Sequence, residues 1–256
     1  MILRPLNPIP ASSAEFLPVW SVVEQTQRKI DDGCWMITQP SHAALAGEFA
    51  AKLIGVDLPN LDAPIIRAIG LHDAGWGISD AQAIMQSRSV QRSFPESFTT
   101  CGVSESINIW EKSIDIAESV NPAGGYIVSR HFVRLAERGD SRSSDVENQI
   151  LARFLKNEAA RQMKLAVKQQ YSSEELESLT NVLQFCDLLS LYVCCGARQP
   201  VELPEYFGIK VRLTVEDNRY TLDPILIEPG TEFSVAGLRH PAAMEASGKE
   251  IEIRIG

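Results

Sequence analysis

Two spacings of apolar residues divide this chain. Between about 40 and 197 they recur every three or four positions, as on buried helix faces. Beyond 200 they alternate with polar residues, as on half-buried strands. A first helix is predicted over 40–55: Pro40 suits a first turn, Ser41 can cap, and Leu45, Ala46, Phe49 and Leu53 form a stripe headed by His42. A second, over 64–73, carries Ile65 and Ile69 on the face that continues to His72 and Asp73, with Gly75 and Gly77 ending it. The stretch 78–103 is polar and weakly periodic and reads as a long, partly structured loop that could rim or cover a site. Further helices are predicted over 104–119, 123–138, 145–170 and 173–193, with polar or Pro/Gly breaks at 121–125 and 139–144. The 123–138 helix places His131 among Tyr126, Val128, Phe132 and Leu135. The last helix has the stripe Leu183, Asp187, Ser190 or Leu191, and Cys194.

The tail alternates cleanly over 209–216, turns at Asp217-Asn218, and has further predicted strands at 220–222, 225–227 and 248–255. Short apolar runs at 1–4 and 34–38 also read as strands. An antiparallel sheet of roughly 50 residues is marginal alone, so it should pack on the helices or pair with the N-terminal strands. The expected organisation is an N-terminal strand segment (1–38), a helical domain (39–198) and a small β subdomain (199–256). The fold class is mainly α.

Composition narrows the functions. With 256 residues and 45% hydrophobic content the chain can bury one sizeable core. A formal charge of −9, with no basic block, disfavours binding to a nucleic-acid backbone. A bound cation could still attract a nucleotide substrate. The N-terminal residues lack the pattern of a secretory signal, and no stretch approaches a membrane span free of charges, so neither is expected. Five cysteines without a CxxC spacing, three of them (Cys186, Cys194, Cys195) in one apolar segment, read as reduced core thiols and a cytoplasmic location.

Three of the four histidines fall in the helical zone: His42, His72 and His131; the fourth, His240, sits in the tail. Asp187 stands inside an apolar helix, where a carboxylate must be hydrogen-bonded, paired or metal-bound. His72-Asp73 stands at a predicted helix end, where neighbours about 100° apart can still reach one ion. Singly, a core histidine or a His-Asp helix end is more often merely hydrogen-bonded. Together, His42, His72, Asp73 and Asp187 form a nitrogen and oxygen donor set suited to Mn, Fe, Co, Ni or Zn. Ser129 lacks a nucleophile elbow, Gly124-Gly125 is too short for a phosphate loop, and Trp76 and Trp110 read as packing residues, with Trp76 able to line a pocket.

The order His42, His72-Asp73, Asp187 on separate helices resembles the HD-domain superfamily of metal-dependent phosphohydrolases. The segments WMITQPSHAALAG at 35–47, HDAGW at 72–76 and VSRHF at 128–132 resemble the uncharacterised bacterial DUF3891 family over nearly the whole chain. The resemblance implies an HD-like helical core binding one divalent metal, or two, through His42, His72, Asp73 and Asp187. Asp73 would bridge to a second metal or sit near the attacking water. Dinuclear members use further histidines in the interval where this chain has only His131, which could complete a lopsided second site, donate a proton or contact phosphate. Asp80 is a candidate for the rim, and Arg130 is the nearest basic residue, though it points elsewhere. The implied activity is hydrolysis of a phosphomonoester or phosphodiester, in a small phosphorylated compound or nucleotide, by a metal-activated water with Asp73 and His131 as catalytic groups. A non-catalytic regulatory protein binding metal or ligand, and a metal-dependent oxygenase, are the competing functions. The tail sheet could shape the pocket or mediate a homodimer.

Overall fold

One long helix is enclosed by nearly everything else. In the computed structural model, which describes residues 1–28, 30, 33–55, 59–88, 94–138, 144–217, 219–242 and 248–255, the helix α8 spans Ser173–Cys195. A capping box of Ser172 and Glu175 starts α8, and Gly196, at φ +66°, ends it in the left-handed region that glycine tolerates. From Val182 to Cys195 every residue is buried, on all faces. By length and composition α8 could cross a membrane, but the folded chain itself surrounds it.

Around it pack α1 (Val19–Arg28), α2 (Gln39–Ala51) and α6 (Pro122–Glu137), while α3 (Ala63–Ile69), α5 (Val103–Val120) and α7 (Asp145–Ala166) form the adjoining layer. The helix α1 was not anticipated. Its buried Val19, Val22, Val23 and Thr26 have helical spacing, but β-branched residues are poor helix formers and only burial makes the helix favourable. The cap of α2 is Thr38, not Ser41: the Thr38 side chain accepts from the Ser41 N–H. Helix α3 stops at Ile69, so His72 and Asp73 lie in the turn that follows it, before a 3₁₀ segment at Ala74–Trp76.

The loop expected over 78–103 is corrected in its first part, which is a helix, α4 (Gly77–Ser87). Ile78 and Met85 are exposed, and only Ala83 and Ile84 meet a small cluster around Met1, Leu3 and Met36, so the buried stripe is too narrow to give a clear period. Residues 89–93, much of the predicted break at 139–144, and Asn218 of the predicted turn lie outside the described residues.

The sheet is larger than expected and mixed. Its strands are β1 (Ile2–Pro5), β2 (Leu17–Pro18), β3 (Cys34–Ile37), β4 (Val201–Leu203), β5 (Val211–Glu216), β6 (Arg219–Asp223), β7 (Glu232–His240) and β8 (Gly248–Ile255), in the order β1-β3-β7-β8-β6-β5-β4-β2. The β2–β4 and β6–β8 pairs are parallel, against the antiparallel expectation. The predicted strand at 225–227 is a single bridge, Leu53 to Ile227. The unpredicted β7 alternates buried Phe233 and Val235 with polar residues until Gly237, where a Cβ would stand 3.0 Å from Ile251; a close contact replaces the apolar side chain there and breaks the pattern. Helices and sheet share one apolar core, as where Phe49 meets Phe233 edge-on at 4.7 Å.

Close backbone contacts fix the turn that carries His72-Asp73. A Cβ on Gly47 of α2 would lie 2.9 Å from the Gly70 Cα, and one on Gly75 would lie 2.2 Å from the Ile109 carbonyl oxygen of α5. Gly75→Ala should therefore destabilise the protein by about 1–3 kcal/mol, lowering Tm by about 2–4 °C per kcal/mol. Gly77→Ala, with nothing within 4 Å of its Cβ in the first turn of α4, should leave Tm unchanged or slightly raised. Equal melting of the two variants would remove Gly75 as the site of close contact.

Candidate metal centre

The turn after α3 meets α2 and α8 at their buried faces, and four of the sequence-predicted residues converge there. His42 comes from the start of α2, His72 and Asp73 from the turn, and Asp187 from the middle of α8. His131 joins them from α6. Two overlapping sets, His42–His72–Asp73 and His72–His131–Asp187, each have ligand atoms within 4.8 Å of one another, and all five residues are buried.

Hydrogen bonds settle which imidazole nitrogen faces the centre. The Ser190 hydroxyl donates to the Asp187 carbonyl at 2.8 Å, so its oxygen accepts from the His42 Nδ1–H at 2.9 Å. His72 Nδ1 lies 2.8 Å from the Ile69 carbonyl, which can only accept. Both Nε2 atoms therefore carry lone pairs in the neutral imidazoles. Yet His42 Nε2 faces Asp73 Oδ2 at 2.9 Å, and His72 Nε2 faces Asp187 Oδ1 at 3.2 Å. Lone pair opposed to carboxylate is unfavourable unless protons or a cation lie between them. The donor set, two imidazole nitrogens and two carboxylates with both Nδ1–H groups tied back, fits a divalent transition metal.

Charge follows the same geometry. Burial opposes protonation of His72, but the Asp73 charge, the hydrogen bond to Asp187 and the Asp187 charge outweigh it and hold the imidazole up at about 9. Burial also opposes ionisation of Asp187, and the His72 hydrogen bond and charge bring it down to about 2. His131 has no partner on Nδ1, and burial pushes it down to about 4. Neutral at pH 7, it suits a metal ligand or hydrogen-bond partner better than the proton donor that its ordinary pKa suggested.

A cavity of about 400 Å³ opens onto the cluster, with Asp73, His131 and Asp187 in its wall. Much of it is helix face: His131, Phe132, Leu135 and Arg138 from α6 and its cap, and Gln184, Asp187, Leu188 and Leu191 from α8. Arg138 was missed from sequence, although it follows His131 and Leu135 at helical spacing. Trp20 and Phe98 lay on elements not foreseen, and Tyr206 lies in the connection after β4; no local pattern marked them. Trp76 and Trp110 line the cavity as well as packing. Arg130 is held by Glu177 and Glu137, facing away as expected. Ser129 accepts a hydrogen bond from Gln162 on α7. Asp80 is not at the rim: it is buried, and its carboxylate meets the Met1 amino group at 2.9 Å and accepts from the Gln39 N–H at 2.6 Å. His240 lies in β7 opposite Cys34, away from the centre.

The fold and centre define a mainly helical protein with a buried histidine–aspartate cluster able to coordinate a divalent metal, beneath an aromatic cavity. Residues 26–229 match the model of DUF3891, a protein family of unknown function, and the chain belongs to that family. Searches of curated proteins and of solved structures each gave no match.

The two displaced histidines make metal-free stability depend on pH in both directions. The folded value of His72, about 9, exceeds its ordinary 6.5, so its contribution is complete below pH 6.5 and lost as pH rises through about 9. That of His131, about 4, lies below 6.5, so stability falls as pH drops from 6.5 towards 4. Chelated protein should melt highest near pH 6.5, and His72→Asn should flatten the alkaline fall. Saturation with a divalent metal should abolish that fall and release protons on binding, measurable by calorimetry in buffers of different ionisation enthalpy. An alkaline fall of the same size in chelated His72→Asn protein would assign it to another group.

Proposed function

We propose that this protein is a divalent-metal-dependent hydrolase of the HD-domain kind, acting on a small phosphorylated compound. The observation that carries the reading is the pair of imidazoles whose Nδ1–H groups are tied back while their Nε2 atoms face Asp73 and Asp187. His42, His72, Asp73 and Asp187 would hold the ion. A cation there would lower the pKa of a bound water and polarise a phosphoryl oxygen.

The chain's own groups supply the rest. Asp73 reaches both the cluster and the cavity wall, where its carboxylate can take a proton from an attacking water. His131 Nε2, 3.9 Å from Asp187 Oδ2, belongs to a neutral imidazole beside the same wall. Arg138 brings the positive charge that would draw an anion towards the cluster. A second reading, a ligand-binding protein without turnover, draws on the presence of only one cationic side chain, Arg138, among the described cavity residues.

Elemental analysis of protein purified without added metal or chelator tests the proposal. About one or two equivalents of a transition metal are expected. His72→Ala and Asp187→Ala should lose it. His131→Gln should keep most of it while phosphatase turnover falls about 10²-fold or more. Protein that holds no metal, and takes up none of Mn, Fe, Co, Ni or Zn, would end the hydrolase reading.

A further inference from the structure

The cavity beside the cluster is lined unlike a polyphosphate site. Six aromatic side chains line it, Trp20, Trp76, Phe98, Trp110, Phe132 and Tyr206, including three of the chain's four tryptophans. Their rings are held in place. The Trp20 indole N–H donates to Glu24 at 3.0 Å, and its ring meets Phe98 edge-on at 6.2 Å; Trp110 stacks on Phe132 at 5.2 Å. Trp20 nonetheless remains 42% exposed. A large ring left open beside a cavity loses the gain of burial until a ligand covers it.

Charge points the same way. Arg138 is the one Lys or Arg among the described lining residues, which also include Asp73 and Asp187. One guanidinium can match one phosphate, but a di- or triphosphate would bring further anionic groups against aromatic walls with no second cationic side chain among the described lining residues to pair with them. At about 400 Å³ the cavity is near the small end of ligand sites, typically about 300–1,000 Å³, and suits one ring-sized body.

We propose that the substrate carries a single phosphate on a planar, ring-bearing apolar body, which lies against these aromatic side chains with its phosphate towards Asp73, Asp187 and Arg138. This rests on the hydrolase reading and narrows it, excluding nucleoside polyphosphates and small polar phosphates such as glycerol phosphate.

The test is binding of non-hydrolysable probes to the metal-loaded full chain, followed by calorimetry and tryptophan fluorescence. Phenylphosphonate should bind at least about tenfold more tightly than methylphosphonate and quench the emission, while inorganic tripolyphosphate should bind no better than methylphosphonate. Trp20→Ala, which removes a half-exposed ring, should reduce the phenyl preference at least about threefold. Arg138→Gln should weaken both phosphonates about equally. Equal affinity for the two phosphonates, or tightest binding of tripolyphosphate, would overturn the assignment even if the enzyme hydrolyses phosphate esters. A phenyl preference without turnover of phenyl phosphate would uphold the pocket and count against the hydrolase. Binding of none of the probes would overturn both.

Discussion

Everything at the centre follows from two imidazoles that have already used their outer nitrogens. Ser190 and the Ile69 carbonyl hold the Nδ1–H groups of His42 and His72, so the inner nitrogens meet carboxylates with nothing of the protein's own between them. The arrangement is favourable only with positive charge in the middle, as protons or as a metal ion. The glycine contacts at Gly47 and Gly75 serve this arrangement, because a side chain at either would push the His72-Asp73 turn away from α2 or α5.

Helix α8 joins the centre to the cavity. Its face at Gln184, Asp187, Leu188 and Leu191 begins polar, supplies the central carboxylate and ends aliphatic. Gln184 is itself held by Arg134, which also pairs with Glu177, so this wall is braced from behind by an ion pair that takes no part in the cavity. The position of Asp187 and the shape of the space before it therefore depend on the packing of one helix.

Much of the centre was legible in the sequence because its residue types are costly elsewhere: a carboxylate in an apolar helix, and a His-Asp pair near a helix end. The helices α2, α3 and α5 to α8 were legible from apolar spacing and from the Pro, Gly and polar breaks between them. The valine-rich α1 and the narrow-faced α4 were not, since tertiary burial outweighs weak local preference there. Strand β7 was hidden at Gly237, where a close contact stands in for a side chain. The cavity was the least legible part. Its aromatic residues come from α1, the segment 74–76, the 98–100 turn, α5, α6 and the connection after β4, and only the three-dimensional fold makes neighbours of them.

The pairing of β3 with β7 has a consequence for how the molecule is made. Met36 lies opposite Leu238 and Cys34 opposite His240, so an early strand finds its inner neighbour only after all the helices have been made. All five residues of the buried histidine–aspartate cluster precede that neighbour in sequence. During synthesis these residues would emerge while β3 still presents an open edge just before α2, the helix that carries His42. Closure of such distant pairs is slow compared with local helix formation. A nascent chain would thus hold its helices, and with them the buried histidine–aspartate cluster, before its sheet is closed.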